Sequence, residues 1–221
     1  IVATDGYRLG HLEIAAVSKD SEQISLIIPS KSLLEVAKIV SEFGDDKEGS
    51  ELKMIVADNL SQINFKIGNV EYTSRLIEGE YPNWQKIIPS SFATREIMSK
   101  PEFVKIVKIA SIFARESGNI VKLKLENNAL RSGSGQAGSA ALSLSAATSA
   151  VGSTNAQVEV KMEGSGGEIA FNFRYLLESL AAIDGDEVVF EMNESLNPGK
   201  ITNIDGKDKF FHIIMPVRLQ N

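Results

Sequence analysis

The stretch 92–126 reads FATREIMSKPEFVKIVKIASIFARESGNIVKLKLE, and its pattern decides the fold. The residue pattern predicts a strand over Phe92–Met98, a helix over Pro101–Arg115 and a second strand over Ile120–Glu126. A helix with one apolar face that is followed by alternating strands is expected to pack on one side of an antiparallel sheet. This stretch therefore predicts one strand–helix–strand unit of an α+β protein.

The same order of elements occurs twice more along the chain. A strand remnant around Ile1–Val17 precedes the first of the three copies. The earlier copy is predicted from a strand, a helix and three strands: Gln23–Pro29, Lys31–Phe43, Leu52–Ala57, Gln62–Ile67 and Val70–Ile77. The later copy follows the same order: Glu168–Phe171, a helix through Ile183, Glu187–Met192, Ile201–Ile204 and Phe210–Val217. Ser30, Asn172 and the Ser99/Glu102 capping-box pair stand where the three helices are predicted to begin.

Two such copies would pair to form one domain of about 110 residues. The second and third copies form a pair, whereas the first lacks a partner. We therefore expect a half domain over residues 1–89, truncated at its N-terminus, and a complete domain over residues 90–221. The start at Ile1-Val2-Ala3, without Met, also suggests a piece of a longer protein.

Composition excludes several classes of protein. The 221 residues include 23 Lys+Arg and 29 Asp+Glu, for a net charge of −6, and 43% are hydrophobic, which is too apolar for a disordered chain. The absence of cysteine excludes disulfides, thiolate metal sites and cysteine nucleophiles. No apolar run approaches the roughly 18 residues that span a bilayer, and no signal-peptide pattern opens the chain, so we expect a cytoplasmic protein with no membrane partner.

The segment Ser132–Thr154 consists almost wholly of Gly, Ser, Ala and Thr, and this composition predicts a flexible linker. It contains Gly133-Ser134-Gly135-Gln136-Ala137-Gly138, which formally matches the G-x-G-x-x-G motif of nucleotide-binding enzymes. That motif requires a preceding parallel strand, a following helix and an acidic residue about twenty positions later. Glu159 has the distance but alternates with apolar neighbours in an apparent strand, so a loop is the favoured interpretation.

The chain offers little catalytic chemistry. His11 and His212 lie in predicted strands without companion ligands, whereas zinc or iron sites need clustered ligands. Asp184–Glu187 and Asn197–Lys200 fit turns better than a calcium loop or a phosphate-binding loop. We therefore predict no catalytic residue, no metal and no cofactor.

Basic residues share a face on two of the predicted helices, and the third helix has one basic residue near its start. At about 100° per residue, Lys105, Lys108 and Arg115 fall within about an 80° arc of one helix. The other candidates are Lys31 and Lys38 on the first helix and Arg174 at the start of the third. A solvated helix face is one explanation; a surface that follows DNA phosphates without reading bases is the other.

Five stretches of the chain resemble a known family. They are Ala3-Thr4-Asp5-Gly6-Tyr7-Arg8-Leu9, Ile28-Pro29-Ser30-Lys31, Ser74-Arg75-Leu76-Ile77-Glu78-Gly79-Glu80-Tyr81-Pro82, Phe171-Asn172-Phe173-Arg174-Tyr175-Leu176-Leu177 and Met215-Pro216-Val217-Arg218-Leu219. In this order they are similar to the bacterial sliding clamp, the beta subunit of DNA polymerase III. The resemblance implies a DNA clamp fold, with helices lining the inner face of a ring and antiparallel sheets outside.

The resemblance also implies a function. Clamps of this family are head-to-tail homodimers that encircle double-stranded DNA without sequence specificity and tether the replicative polymerase, without catalytic activity of their own. In this family the polymerase, the clamp loader and repair proteins bind one hydrophobic pocket of the clamp through short linear motifs. The basic residues above would then face DNA. The alternative is an isolated peptide-binding module that cannot close a ring.

By motif match, the resemblance implies a hydrophobic peptide pocket with twelve residues. They are Thr4, Gly6, Tyr7, Arg8, Leu9, Pro89, Tyr175, Ile213, Met215, Pro216, Val217 and Arg218. Tyr7 stands where the family often has histidine, Ser132–Thr154 is longer and plainer than the usual connection, and Gln220-Asn221 extend past the customary end. Without the resemblance, Met215–Leu219 would be interpreted as an ordinary terminal edge strand.

Overall fold

The structure, a computed structural model, describes residues 1–15, 24–43, 51–127, 140–148, 152–204 and 209–219. The helices and strands in these residues are, in chain order, β1 (Val2–Thr4), β2 (Arg8–Glu13), α1 (Ser30–Phe43), β3 (Lys53–Val56), β4 (Gln62–Ile67), β5 (Val70–Arg75), a 3₁₀ turn (Trp84–Ile87), β6 (Thr94–Ser99), α2 (Lys100–Ala114), β7 (Ile120–Asn127), β8 (Ala140–Thr148), β9 (Gly152–Gly164), β10 (Gly167–Asn172), α3 (Phe173–Ala182), β11 (Glu187–Met192), β12 (Gly199–Asn203) and β13 (Lys209–Ile214). They fall into two compact units, the larger unit (Ile1–Ala15 with Trp84–Asn221) and the smaller unit (Ala16–Asn83).

The larger unit contains a ten-stranded sheet in the order β1-β2-β13-β12-β11-β6-β9-β8-β7-β10. Every strand pair in it is antiparallel. Helices α2 and α3 contact each other and contribute to one core with the strands. The predicted α+β class, with helices packed on antiparallel strands, is therefore confirmed.

Helix α2 forms because its ends and its apolar spacing agree. The Ser99 hydroxyl accepts a hydrogen bond from the Glu102 backbone N–H at 3.4 Å, as the capping-box spacing predicted. Phe103, Val107 and Ala110 lie on one face and are fully buried. Their burial fixes which face of α2 points to solvent.

The predicted linker over Ser132–Thr154 is wrong for the part that the structure describes. Residues 140–148 form β8, and β9 begins at Gly152. The side chains of Ala140, Leu142 and Leu144 alternate into the core, and the two leucines are fully buried. Every second side chain is buried here although many of the residues are small, and composition alone does not reveal such an alternation. The Gly133–Gly138 motif lies outside the described residues.

The smaller unit consists of α1 and a three-stranded antiparallel sheet in the order β3-β4-β5. Val36, Ile63 and Phe65 form its core. The strands follow the predicted segments, but the strand predicted over Gln23–Pro29 is wrong for the described residues 24–29. The Ile27 carbonyl of that segment accepts a hydrogen bond from the Ile77 N–H, which follows β5. Leu26 and Ile28 pack on the core, but the described residues of the segment form no ladder of strand hydrogen bonds.

Two predicted segments at the ends of the chain differ in the structure. The remnant predicted around Ile1–Val17 is a pair of strands, β1 and β2, and β2 pairs with β13. The last strand ends at Ile214 rather than Val217. The domain division at residue 89 stays a prediction. Within the described residues, no helix combines the length and apolarity that crossing a membrane requires.

Candidate functional site

The turn between β1 and β2 is held by its own side chains. The Asp5 Oδ1 atom accepts hydrogen bonds from the backbone N–H groups of Tyr7 and Arg8, both at 3.0 Å. The Thr4 hydroxyl accepts from the Gly6 N–H at 3.1 Å and donates to the Arg8 carbonyl at 2.7 Å. Gly6 has a φ of +87°, a left-handed conformation that glycine adopts without strain. The turn thereby projects Tyr7 into solvent, with 64% of its surface exposed.

Arg8 connects this turn to α3. Its Nε atom lies 3.1 Å from Asp5 Oδ2, and its Nη1 atom donates to Glu178. The guanidinium carbon also lies 4.7 Å from the ring centroid of Tyr175. The rings of Tyr7 and Tyr175 stack with centroids 6.4 Å apart and an angle of 24° between their planes. Two predicted site residues from the turn therefore meet a third from α3.

The charges at this surface hold each other ionised. Burial alone would raise the pKa of Asp5, but the backbone N–H groups of Tyr7 and Arg8 and the Arg8 guanidinium lower that pKa below its ordinary value. Burial alone would lower the pKa of Arg8, but hydrogen bonds to Glu178 and Asp5 raise it above its ordinary value. Arg8 is thus a permanent cation at this surface.

The C-terminal tail, residues 215–219, runs beside the turn after β13 ends. The Met215 N–H donates to the Tyr7 carbonyl at 2.9 Å, and the Val217 N–H donates to the Ala170 carbonyl of β10 at 2.8 Å. Met215 is 37% exposed, and Arg218 is exposed with no ion pair inside the described part of the chain. The alternative of a terminal edge strand over Met215–Leu219 is therefore wrong.

The remaining predicted pocket residues have different positions. Leu9 and Ile213 face each other across β2 and β13 and are 2% and 1% exposed, so they support the surface from beneath. Pro216 and Val217 are half-buried in the tail. Pro89 is half-buried just after the 3₁₀ turn, and its place in the pocket stays a prediction.

Sequence reasoning missed two residues of this surface, Asp5 and Glu178. Asp5 had a local signal, since Asp two positions before a turn residue commonly caps backbone N–H groups. Glu178 follows Tyr175 by three positions, so both lie on one face of α3. Its contact with Arg8 joins distant parts of the sequence, and no local pattern predicts it.

The predicted DNA-facing residues are exposed in both units. Lys105, Lys108 and Arg115 lie on the solvent side of α2 and Arg174 on that of α3, away from the buried residues of each helix. In the smaller unit, Lys31 and Lys38 are exposed on α1. Lys38 Nζ lies 2.8 Å from Glu35 Oε1, and this hydrogen bond raises the pKa of Lys38. A role in DNA contact stays a prediction.

Both histidines pack against aromatic rings of the larger unit. The His11 ring lies 5.0 Å from the Trp84 ring and 4.6 Å from that of Phe211, and His212 packs edge-on to Phe210 at 4.9 Å. Burial first, and then the charge of Arg8, lowers the pKa of His212. Among the described residues, no three His, Cys, Asp or Glu side chains are grouped to hold a metal ion.

Two open cavities of about 640 and 990 Å³ lie elsewhere in the larger unit. The first is lined mainly by small side chains, Ser145, Ser153 and Thr154 among them, and the second by loop residues such as Ser91 and Asn193. Neither lining includes the Tyr7–Tyr175 pair. We therefore assign the candidate site from the aromatic and arginine contacts rather than from cavity size.

Comparison with known proteins shows the family to which the chain belongs. The repeated fold is that of the DNA clamps, since solved clamp structures superimpose on nearly the whole chain. A model of the C-terminal domain of the DNA polymerase III beta subunit matches residues 85–218, and a model of its central domain matches residues 1–83. The chain therefore belongs to the DNA polymerase III beta subunit family, the bacterial sliding clamps.

Individual relatives agree with the family models. The beta sliding clamp of Staphylococcus aureus is 32% identical over 218 residues, which are 98% of this chain and 52% of that protein. A sliding clamp structure from Bacillus subtilis has a TM-score of 0.84 and 26% identity, covering 99% of this chain and 53% of that one. A clamp from Bartonella birtlesii bound to griselimycin has a TM-score of 0.84, 28% identity and coverages of 99% and 54%. The chain thus spans about half the length of these relatives.

Proposed function

We propose that this chain acts as part of a DNA polymerase processivity factor, a sliding clamp that encircles duplex DNA and tethers partners through a peptide pocket. The complete clamp would be a homodimeric ring in the bacterial cytoplasm. It binds the replicative polymerase, the clamp loader and repair proteins, and it has no catalytic activity and needs no cofactor. Membership in the family supports this proposal at the level of the whole protein.

The observation that carries the peptide site is the convergence of three segments of the larger unit on one exposed surface. Tyr7 comes from the β1–β2 turn, Tyr175 from α3 and Met215 from the tail, linked by ring stacking and a backbone hydrogen bond. Aromatic and methionine side chains adapt to different apolar partners. Arg8 and Arg218 supply positive charge beside them, so an extended peptide with apolar and polar groups suits the surface.

The peptide pocket can be tested directly by titrating the chain with a labelled clamp-binding peptide. The double variant Met215→Ala with Arg218→Ala should bind several-fold more weakly, because it removes an apolar contact and a cation. The matched control is Met54→Ala with Arg75→Ala, which changes exposed residues of the same types in the smaller unit. Equal affinity of the first variant and the unchanged chain would refute the assignment.

Exposed basic residues on α2 and α3 support the DNA-facing role. The helices bury one face and leave Lys105, Lys108, Arg115 and Arg174 in solvent. Such a surface contacts phosphates without reading bases, which permits sliding. The complete clamp, loaded on circular DNA, should leave from the ends once the DNA is cut. Retention on the linear product would refute topological linkage.

A second candidate function is a peptide-binding module that does not close a ring. It is favoured by one observation: all twelve predicted pocket residues belong to the larger unit. Peptide binding would therefore not need ring closure. Light scattering of the chain distinguishes the two, since a monomer that binds peptide supports the module and a ring-sized species supports the clamp.

A further inference from the structure

We propose that Glu178 binds Arg8 at the position where an acidic side chain of a partner peptide would bind. Glu178 therefore determines how strongly the pocket prefers acidic peptides. The inference rests on the proposed peptide-binding function and specifies its regulation. Glu178 is then a specificity-determining residue, because it competes with the peptide's carboxylate for the Arg8 guanidinium.

The two carboxylates on Arg8 are not equivalent. Asp5 accepts hydrogen bonds from two backbone N–H groups as well as from the Arg8 side chain, so it is part of the turn itself. The backbone hydrogen bonds of the turn hold the Asp5 carboxylate in its place beside Arg8. Glu178 contacts Arg8 through one oxygen, and 58% of its side chain is exposed. Glu178 is therefore the partner that a ligand can replace.

Arg8 stays in position when Glu178 leaves. Its Nε atom remains bonded to Asp5, and its guanidinium remains over the Tyr175 ring. The Nη1 atom that donates to Glu178 then becomes available beside the Tyr175 ring, on which the Tyr7 ring stacks. A peptide that packs an apolar side chain against these rings brings its neighbouring side chain within reach of that donor.

The exchange replaces one exposed ion pair by another. Exposed pairs contribute little and are similar to one another, so the gain from a peptide carboxylate is nearly cancelled by the loss of Glu178. The unchanged chain should therefore bind an acidic peptide and its neutral isostere with similar affinity. Without the Glu178 charge, the acidic peptide gains the whole pair and the neutral peptide gains nothing.

The test uses two fluorescent peptides that differ only by Asp or Asn next to the apolar residue. Fluorescence anisotropy gives the ratio of their Kd values for the unchanged chain, for Glu178→Gln and for Glu178→Ala. The ratio in favour of the Asp peptide should rise about 1.5- to fivefold in both variants, and high salt should abolish the rise. Glu116→Gln, an exposed carboxylate after α2, is the control and should leave the ratio unchanged.

Two outcomes overturn the inference while leaving the pocket intact. If both Kd values change by the same factor, Glu178 only supports the structure of the pocket. If neither Kd value changes, the peptide acid does not reach Arg8. Failure of the proposed function is separate, because then neither peptide binds the unchanged chain. Circular dichroism spectra of the variants confirm that each is folded before the titrations are compared.

Discussion

The guanidinium of Arg8 lies 4.7 Å from the centre of the Tyr175 ring, although the two residues belong to different segments of the larger unit's sequence. Arg8 belongs to the β2 strand and Tyr175 to the first half of α3. The contact fixes the turn against the helix, and the Tyr7 ring stacks on the same ring. The proposed peptide surface is therefore preorganised around one aromatic side chain from α3.

Removing that ring should weaken peptide binding. Tyr175→Ala loses the ring stack and the cation–π contact, each worth about 0.5–1 kcal/mol at an exposed site, so we expect a loss of peptide affinity of about five- to thirtyfold. Tyr175→Phe is the matched control, because it keeps the ring and should bind as the unchanged chain does. Calorimetric titration of both variants measures the effect, and equal affinities would contradict the role given to the ring.

The Asp5 carboxylate should be needed for the order of the β1–β2 turn. Asp5→Ala removes the acceptor of two backbone N–H groups, and the amide hydrogens of Tyr7 and Arg8 should then exchange with solvent several-fold faster. Asp5→Asn keeps an oxygen acceptor at the same place and should retain most of the protection. Hydrogen exchange followed by NMR measures both, and identical protection in the Ala variant would show that the turn is held by other contacts.

Local sequence signals predicted most of the fold, because helix caps and alternation act over a few residues. Asn172 accepts from the Arg174 N–H at 3.0 Å and begins α3, as predicted. β8 escaped prediction because Ala and Ser flank Leu142 and Leu144, and so few large side chains left the alternation hidden. The strand prediction over Gln23–Pro29 was wrong for the opposite reason. Its described residues alternate between apolar and polar and pack on the core, but they do not form a strand.

The site was predictable only in part, for a related reason. Family resemblance indicated Tyr7, Tyr175 and Met215, and the structure brings Tyr7 next to each of the other two. Glu178 could not be predicted, because its partner Arg8 is distant in sequence and only the tertiary fold brings the two together. The fully buried Leu9 shows that motif membership does not separate a contact residue from a supporting one.

The folded larger unit should lose stability as the pH rises because of one buried acid. Glu96 lies on β6 between Met162 and Phe190 of the adjacent strands, is 0% exposed, and neither carboxylate oxygen has a hydrogen-bond partner among the described residues. Burial raises the pKa of Glu96 from 4.5 to about 8. Between these pH values the unfolded chain gives up a proton that the folded chain keeps, so the free energy of unfolding falls, by roughly 5 kcal/mol over the interval.

The single tryptophan, Trp84, belongs to the larger unit, so its fluorescence can follow urea unfolding between pH 4.5 and 8.5. Glu96→Gln cannot ionise and should flatten the pH dependence. Glu187→Gln changes an exposed acid on β11 and should retain the original slope. An equal slope for Glu96→Gln and the unchanged chain would mean that Glu96 is ionised in the folded protein.

The exposed face of α2 should contribute to DNA binding without sequence preference. Lys105 and Lys108 lie on the solvent side of α2, and each phosphate contact releases counterions as DNA binds. The double variant Lys105→Ala with Lys108→Ala should therefore bind any duplex more weakly, and the slope of log affinity against log salt should decrease by up to about 2. Fluorescence anisotropy with two duplexes of unrelated sequence measures both effects.

The control for this experiment lies on the other side of the sheet. Lys161 is exposed on β9, next to the buried Val160 that faces the core, and alternation along a strand directs Lys161 to the opposite face. Lys161→Ala removes a positive charge there and should leave the salt slope unchanged. If both variants weaken DNA binding equally, net charge rather than the α2 face governs the interaction, because a clamp that holds DNA along its helices gains contacts only from charges on that side.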